Sequence, residues 1–155
     1  MNQTKGGQSL VFEEPPVIIS AASVTGSKEA EGPLGKMFDM TNQDDLFGAR
    51  TWEEAESNMQ KEACVLALGK AHVDPKEVRC LFGGVATSMG VEALQIPMFG
   101  LYGACSTSGE ALALAAMSAA AGYGKYMLAV TSSHFGSAEK EFRFPLGYAS
   151  QRPLS

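Results

Sequence analysis

The run Met98-Phe99-Gly100-Leu101-Tyr102-Gly103-Ala104-Cys105-Ser106-Thr107-Ser108-Gly109 decides the fold class. An apolar, strand-like stretch feeds a turn of small residues, and an alanine-rich segment from Thr107 to Ala121 follows at once. A strand-to-helix turn of this kind holds Cys105 at a helix N-terminus. There the helix dipole and the free backbone N–H groups favour a thiolate. The turn therefore marks a nucleophile or the position of a former one. The competing reading is a small buried thiol that only packs.

Working outward, Val78 to Val85 and Lys125 to Ser132 read as further strands, and Met98 to Tyr102 is the strand that enters the turn. Val17 to Ala22 reads as a first buried strand, bounded by Pro15-Pro16 and Gly26. A helix is predicted from Thr51, where Thr51 and Glu54 form a capping box. Its apolar stripe is Ala55, Met59, Ala63 and Leu66, and it ends near Lys70 or His72. Asp74-Pro75 restarts the chain as a short helical turn, with proline at the first position. Residues 87–95 suggest a short helix stopped by Pro97. The 107–121 helix carries small residues on every side, which predicts close packing on all its faces. Residues 1–9 read as a loose polar terminus. Residues 26–50 read as a long irregular loop, a kind that is usually functional or mobile. Past His134 no further strand is evident. Alternating strands and helices imply one α/β domain over residues 1–155, with a mainly parallel or mixed sheet and helices on both faces.

Composition narrows the function. The chain has 155 residues, enough for one core, and is 45% hydrophobic. A net charge of −5 and the lack of any basic run exclude a nucleic-acid surface. No apolar stretch approaches the ~20 residues of a membrane span, and the polar start from Met1 to Leu10 does not read as a secretory signal. Cys64, Cys80 and Cys105 form neither a zinc pattern nor a disulfide framework, so free thiols in a reducing compartment are expected. Gly83-Gly84 is not a dinucleotide fingerprint and reads as a tight turn. No cofactor and no metal site is expected.

Candidate site residues gather around the Cys105 turn. Cys105 and Ser106 lie on it. His134 follows Thr131-Ser132-Ser133 at the end of a strand, where ligands bind in parallel sheets; the alternative is a surface-loop histidine. His72, at a helix end, reads as a solvated cap. Arg143, within Phe142-Arg143-Phe144-Pro145, offers a bidentate fork for a carboxylate, with Lys125 as a second cation; a solvated arginine is the bland alternative.

These residues carry a resemblance. The Cys105 turn with its alanine-rich helix resembles the nucleophile position of the thiolase and ketoacyl synthase superfamily. Four segments resemble the stage V sporulation AD family of thiolase-like proteins more closely. They are Lys28-Glu29-Ala30-Glu31-Gly32-Pro33-Leu34-Gly35, Gly103 to Ser108, Ala129 to His134, and Glu141 to Pro145 with Tyr148, Gln151 and Pro153.

The resemblance implies a thiolase-like half-fold, the N-terminal of two similar halves. It implies binding of dipicolinic acid, by itself or as its calcium chelate, and support for its uptake into the developing spore without catalysis. The partners implied are other stage V sporulation proteins at the spore inner membrane, with the chain peripheral to that membrane or cytoplasmic. A homodimer, or pairing with a missing C-terminal half, is also implied, because a half-fold leaves one side of the alanine-rich helix bare. The histidines that activate the cysteine in true thiolases belong to the second half. The segment Gly83 to Gln95 is also shorter than the family pattern and lacks its Gly-Asp. Dipicolinate is a planar dianion, so the helix N-terminus could supply N–H groups and Arg143 or Lys125 charge. The alternative is an acyltransferase with Cys105 as nucleophile.

Overall fold

In the computed structural model, which describes residues 3–84 and 92–133, the chain runs through seven strands and three helices. They are β1 (Thr4–Lys5), β2 (Ser9–Leu10), β3 (Val24–Gly26), α1 (Ser27–Ala30), β4 (Met40–Asn42), α2 (Trp52–Ala71), β5 (Val78–Gly84), β6 (Met98–Leu101), α3 (Thr107–Ala120) and β7 (Tyr126–Val130). The main sheet is parallel, in the order β6-β5-β7. Its central strand alternates as a two-residue period requires. Leu81 is fully buried in a cluster with Cys64, Leu68, Val73, Ile96 and Val130, on the α2 side. Cys80 and Phe82 face the other way, against Ala111 of α3 and the partly buried Leu114 and Ala115. Helices therefore cover both faces of a parallel sheet, the α/β arrangement expected from the alternation of elements.

α2 starts where the capping residues place it. Thr51 Oγ1 accepts from the Glu54 N–H at 3.2 Å, but the Glu54 carboxylate accepts from the Arg50 N–H at 3.1 Å rather than from Thr51. The helix ends at His72, an exposed left-handed cap with φ 53°. Asp74 and Glu77 then form a complete capping box with Pro75 at the first position of a 3-10 turn. The buried stripe departs from the predicted one. Ala55 is buried as expected, but the line that follows is Glu56, Gln60, Cys64 and Leu68, and Met59, Ala63 and Leu66 stand at its margin. Three polar side chains, Glu56, Gln60 and the neighbouring Ser57, thus occupy buried positions that an apolar pattern passes over.

Several other expectations are corrected. Val17 to Ala22 is not a strand: Val17 is 77% and Ile18 76% exposed. An apolar run becomes a strand only with a ladder partner. Among the described residues the pairing falls further on, between β3 and β4, which run parallel with Thr25 opposite Thr41. That pair lies partly within the stretch read as an irregular loop, and a latch ties it to α2. Lys70 Nζ donates to Asp39 at 2.8 Å and to the Ala21 carbonyl at 2.7 Å, while the Ser23 N–H donates to Asp39 at 2.9 Å. The N-terminal stretch forms a small antiparallel ribbon, β1 with β2, instead of a loose end. Gly83 and Gly84 are not a turn; they are the last residues of β5, Gly83 opposite Gly100 and Val130. α3, whose composition suits packing on all faces, has one side bare, as expected of a half-fold. Ala111 is buried against the sheet, but Leu112 is 51% exposed and Met117 is exposed too, because the described residues cover only its sheet-facing side. Of the segment 87–95, only the 3-10 turn Glu92–Leu94 and Gln95 lie within the described residues.

Candidate functional site

Three parallel strands bring their carboxyl ends to one edge, the place where ligands enter open α/β sheets. Two features stand on that edge, one after β6 and one after β7.

The first is the Cys105 turn. Ala104–Ser106 is a 3-10 turn that runs directly into α3. The Ser106 N–H donates to the Gly103 carbonyl at 3.0 Å, and the Gly103 N–H donates to Thr107 Oγ1 at 3.3 Å. The Ser106 hydroxyl lies 2.7 Å from the Gly103 carbonyl and 2.5 Å from Glu110 Oε1. A Cβ on Gly103 would stand 2.2 Å from that carboxylate oxygen, so glycine here makes room for Glu110. Cys105 is exposed, whereas Cys64 and Cys80 are buried. Burial pushes the Cys64 thiol up to about 12. Burial also raises Cys80, against the nearby charge of Arg79. The accessible thiol is therefore the one on the turn. Glu110, in the first turn of α3, already faces the positive end of the helix dipole.

The structure separates residues that the sequence could not. His72 caps the C-terminus of α2, and only Val73 to Glu77 separates it from the start of β5. It stands at the amino edge of the sheet, a strand length of ~20 Å from the Cys105 turn, and cannot serve as its base. Lys125 immediately precedes β7, with Nζ 4.8 Å over the Tyr126 ring. It too belongs to the amino edge, so it cannot supply charge beside Cys105. His134 and Arg143 lie outside the described residues.

The second feature is a cleft of about 720 Å³ after β7, walled by residues 22–29, by α2 and by Thr131, Ser132 and Ser133. Gln60, 2% exposed, and Glu56, 4% exposed, stand behind it. Ser132 Oγ accepts from Gln60 Nε2 and donates to Glu56 Oε1 at 2.5 Å. Gln60 Oε1 is buried with no hydrogen-bond partner. At the rim, Asp45 Oδ1 accepts from the Ser27 hydroxyl at 2.9 Å. Hydropathy alone misses Glu56 and Gln60. Their signal was the four-residue spacing 56-60-64-68, which places them on one line with Cys64 and Leu68. Among the described residues no group of three or more His, Cys, Asp or Glu could hold a metal ion, and no helix is long and apolar enough to cross a membrane.

With this geometry in place, comparison with known proteins adds two findings. The family model described as stage V sporulation protein AD matches residues 6–155. The stage V sporulation protein AD of Bacillus subtilis (strain 168) is 38% identical over 154 residues, covering 96% of this chain and 46% of that relative. The chain therefore spans about half the length of the relative it matches.

Proposed function

This chain belongs to the stage V sporulation protein AD family, and on that premise we propose that it is a non-catalytic sporulation protein that binds dipicolinic acid and supports its uptake into the developing spore. The observation that carries the reading is the match over residues 6–155, which includes the Cys105 turn. His72 is too far away to activate that thiol.

The turn also favours one form of the ligand. The Glu110 carboxylate is hydrogen-bonded beside Cys105, so free dipicolinate, a dianion, meets a like charge there. The calcium chelate is neutral and meets none. Cys105 and Ser106 would line the site, and His134 and Arg143 remain the further candidate residues for it. Other stage V sporulation proteins at the spore inner membrane are the proposed partners, with this chain peripheral to the membrane.

Calorimetry tests the proposal. Dipicolinate titrated with equimolar calcium should release or absorb heat saturably, more strongly than dipicolinate alone, and other pyridine dicarboxylates should compete. No heat with either form overturns it. A mass shift of Cys105 on incubation with a short acyl-CoA would instead establish the acyltransferase.

A further inference from the structure

The strands of the main sheet also gather their amino ends, at the edge opposite the Cys105 turn. There the segments leading into β5, β6 and β7 border a pocket of about 270 Å³, with Lys76, Glu77, Arg79, Gln95, Pro97 and Gly124 on its lining. We propose that this pocket binds a phosphate monoester, gripped by the Arg79 guanidinium and the Lys76 ammonium. The proposal does not rest on the dipicolinate reading.

The backbone is shaped around Arg79. Val78 pairs with Tyr126 and Cys80 with Met127, which leaves Arg79 as an extra residue in β5. A bulge of this kind re-aims the side chain it carries. Opposite it, a Cβ on Gly124 would stand 2.4 Å from Arg79 Cβ, so glycine makes room for the arginine stem. Arg79 and Lys76 are exposed, and among the described residues neither has an ion-pair partner. The acids of this edge are Asp74 and Glu77, and both serve backbone donors. Asp74 Oδ1 accepts from the Lys76 N–H at 2.9 Å, and Glu77 Oε2 accepts from the Asp74 N–H at 3.2 Å. Lys76, Arg79 and the adjacent Lys125 outnumber them, on a chain whose net charge is −5. An arginine fork takes two oxygens of an anion, and a lysine adds a point charge beside it. A planar carboxylate is satisfied by the fork alone, whereas the third terminal oxygen of a phosphate monoester takes up the lysine as well. The Gln95 amide, on the same lining, is a further neutral donor.

The test is calorimetry of the full chain with glycerol 3-phosphate at physiological ionic strength. Saturable binding with a Kd of about 1 mM or tighter is expected. Arg79→Gln should weaken it about tenfold, the effect of one lost hydrogen bond to a charged group, and Lys76→Gln severalfold. Arg79→Lys keeps the charge without the fork and should recover only part of the loss. Lys28→Gln, at the cleft on the carboxyl edge, should change nothing. No saturable heat up to roughly 10 mM, unchanged binding in Arg79→Gln, or an equal loss in Lys28→Gln overturns the proposal. So does displacement by an equal concentration of dipicolinate, which would make the pocket a general carboxylate site. Sedimentation with phosphatidylcholine vesicles, with and without phosphatidic acid, separates the two sources of such a group. Retention on the phosphatidic acid vesicles alone, lost in Arg79→Gln, assigns a lipid headgroup, and binding of the free ester without sedimentation assigns a soluble one. Sedimentation that Arg79→Gln leaves unchanged overturns the pocket as its cause. Failure of dipicolinate to bind would leave this titration untouched, so the two readings fail separately.

Discussion

Replacing Ser132 with alanine removes the hydroxyl that joins Gln60 to Glu56. In the wild-type chain that oxygen accepts from Gln60 Nε2 and donates to Glu56 Oε1. Both partner side chains are almost wholly buried, so neither finds an immediate substitute in bulk water. The neutral bond is worth about 1 kcal/mol, and a bond to a carboxylate ~1.5–3 kcal/mol. Ser132 itself is half-buried at the cleft wall, and water reaching the vacated position recovers part of this. The expected loss is about 2–3 kcal/mol, a large share of the ~5–15 kcal/mol of a typical domain. At ~2–4 °C per kcal/mol for a chain of this size, the midpoint should fall by roughly 5–10 °C.

Urea unfolding followed by circular dichroism, with an unchanged m-value, measures the loss. Ser132→Thr keeps the hydroxyl and should restore most of it. Gln60→Leu should cost less than Ser132→Ala, because it also removes the unpartnered Oε1 and leaves the Ser132–Glu56 bond intact. In the Gln60→Leu background Ser132→Ala should cost about 1 kcal/mol less than in the wild type, the coupling of neighbours that share one bond. A loss below about 0.5 kcal/mol for Ser132→Ala, or full additivity of the two changes, would refute the view of these side chains as one buried network.

Gly35→Ala should destabilise the chain by ~1–3 kcal/mol, since a Cβ there would stand 1.9 Å from the Ala30 carbonyl oxygen; a midpoint equal to wild type in urea would show that the loop gives way freely. Brief treatment of the folded chain with iodoacetamide should modify Cys105 and spare Cys64 and Cys80, as the exposed thiol differs from the buried pair; peptide mass mapping that finds Cys64 labelled at the same rate would contradict the packing of α2. The Cys64 thiol stands at about 12 when folded against an ordinary 9.0. Its contribution is complete below 9.0 and is lost as pH rises from there through about 12. Cys64→Ala should flatten that alkaline slope in pH-dependent unfolding. Asp39 is held below its ordinary 3.8, first by the Lys70 hydrogen bond and then by the Ser23 N–H. The latch therefore contributes above that value and is lost as the pH falls below it. Asp39→Asn should remove this part of the acid dependence, and an identical acid profile would argue against the latch.

The three strands of the main sheet and the long helices were legible because their signals are local. Thr51 and Asp74 name helix starts by what their side chains can accept, and Pro97 interrupts what precedes it. The apolar runs around Leu81, Phe99 and Leu128 are each bounded by such punctuation. The Val17-Ile18-Ile19 run was equally apolar and failed as a strand, since sequence gives hydrophobicity but not a hydrogen-bonding neighbour. The stripe of α2 was misplaced for a related reason. Glu56 and Gln60 look like surface residues until Ser132, more than seventy positions away, supplies the partner that lets them be buried.

By itself, then, the sequence determined the α/β class, the placement of Cys105 at the strand-to-helix turn and the family through its motifs, because each rests on residues close together in the chain. Tertiary structure decided the strand order and, with it, how far apart the candidates stand. Parallel pairing sends every strand's carboxyl end the same way, which unites the Cys105 turn and the Ser132 cleft and strands His72 and Lys125 at the opposite edge. No spacing in the sequence encodes that separation, since it follows from strand direction and length rather than from any local pattern of side chains.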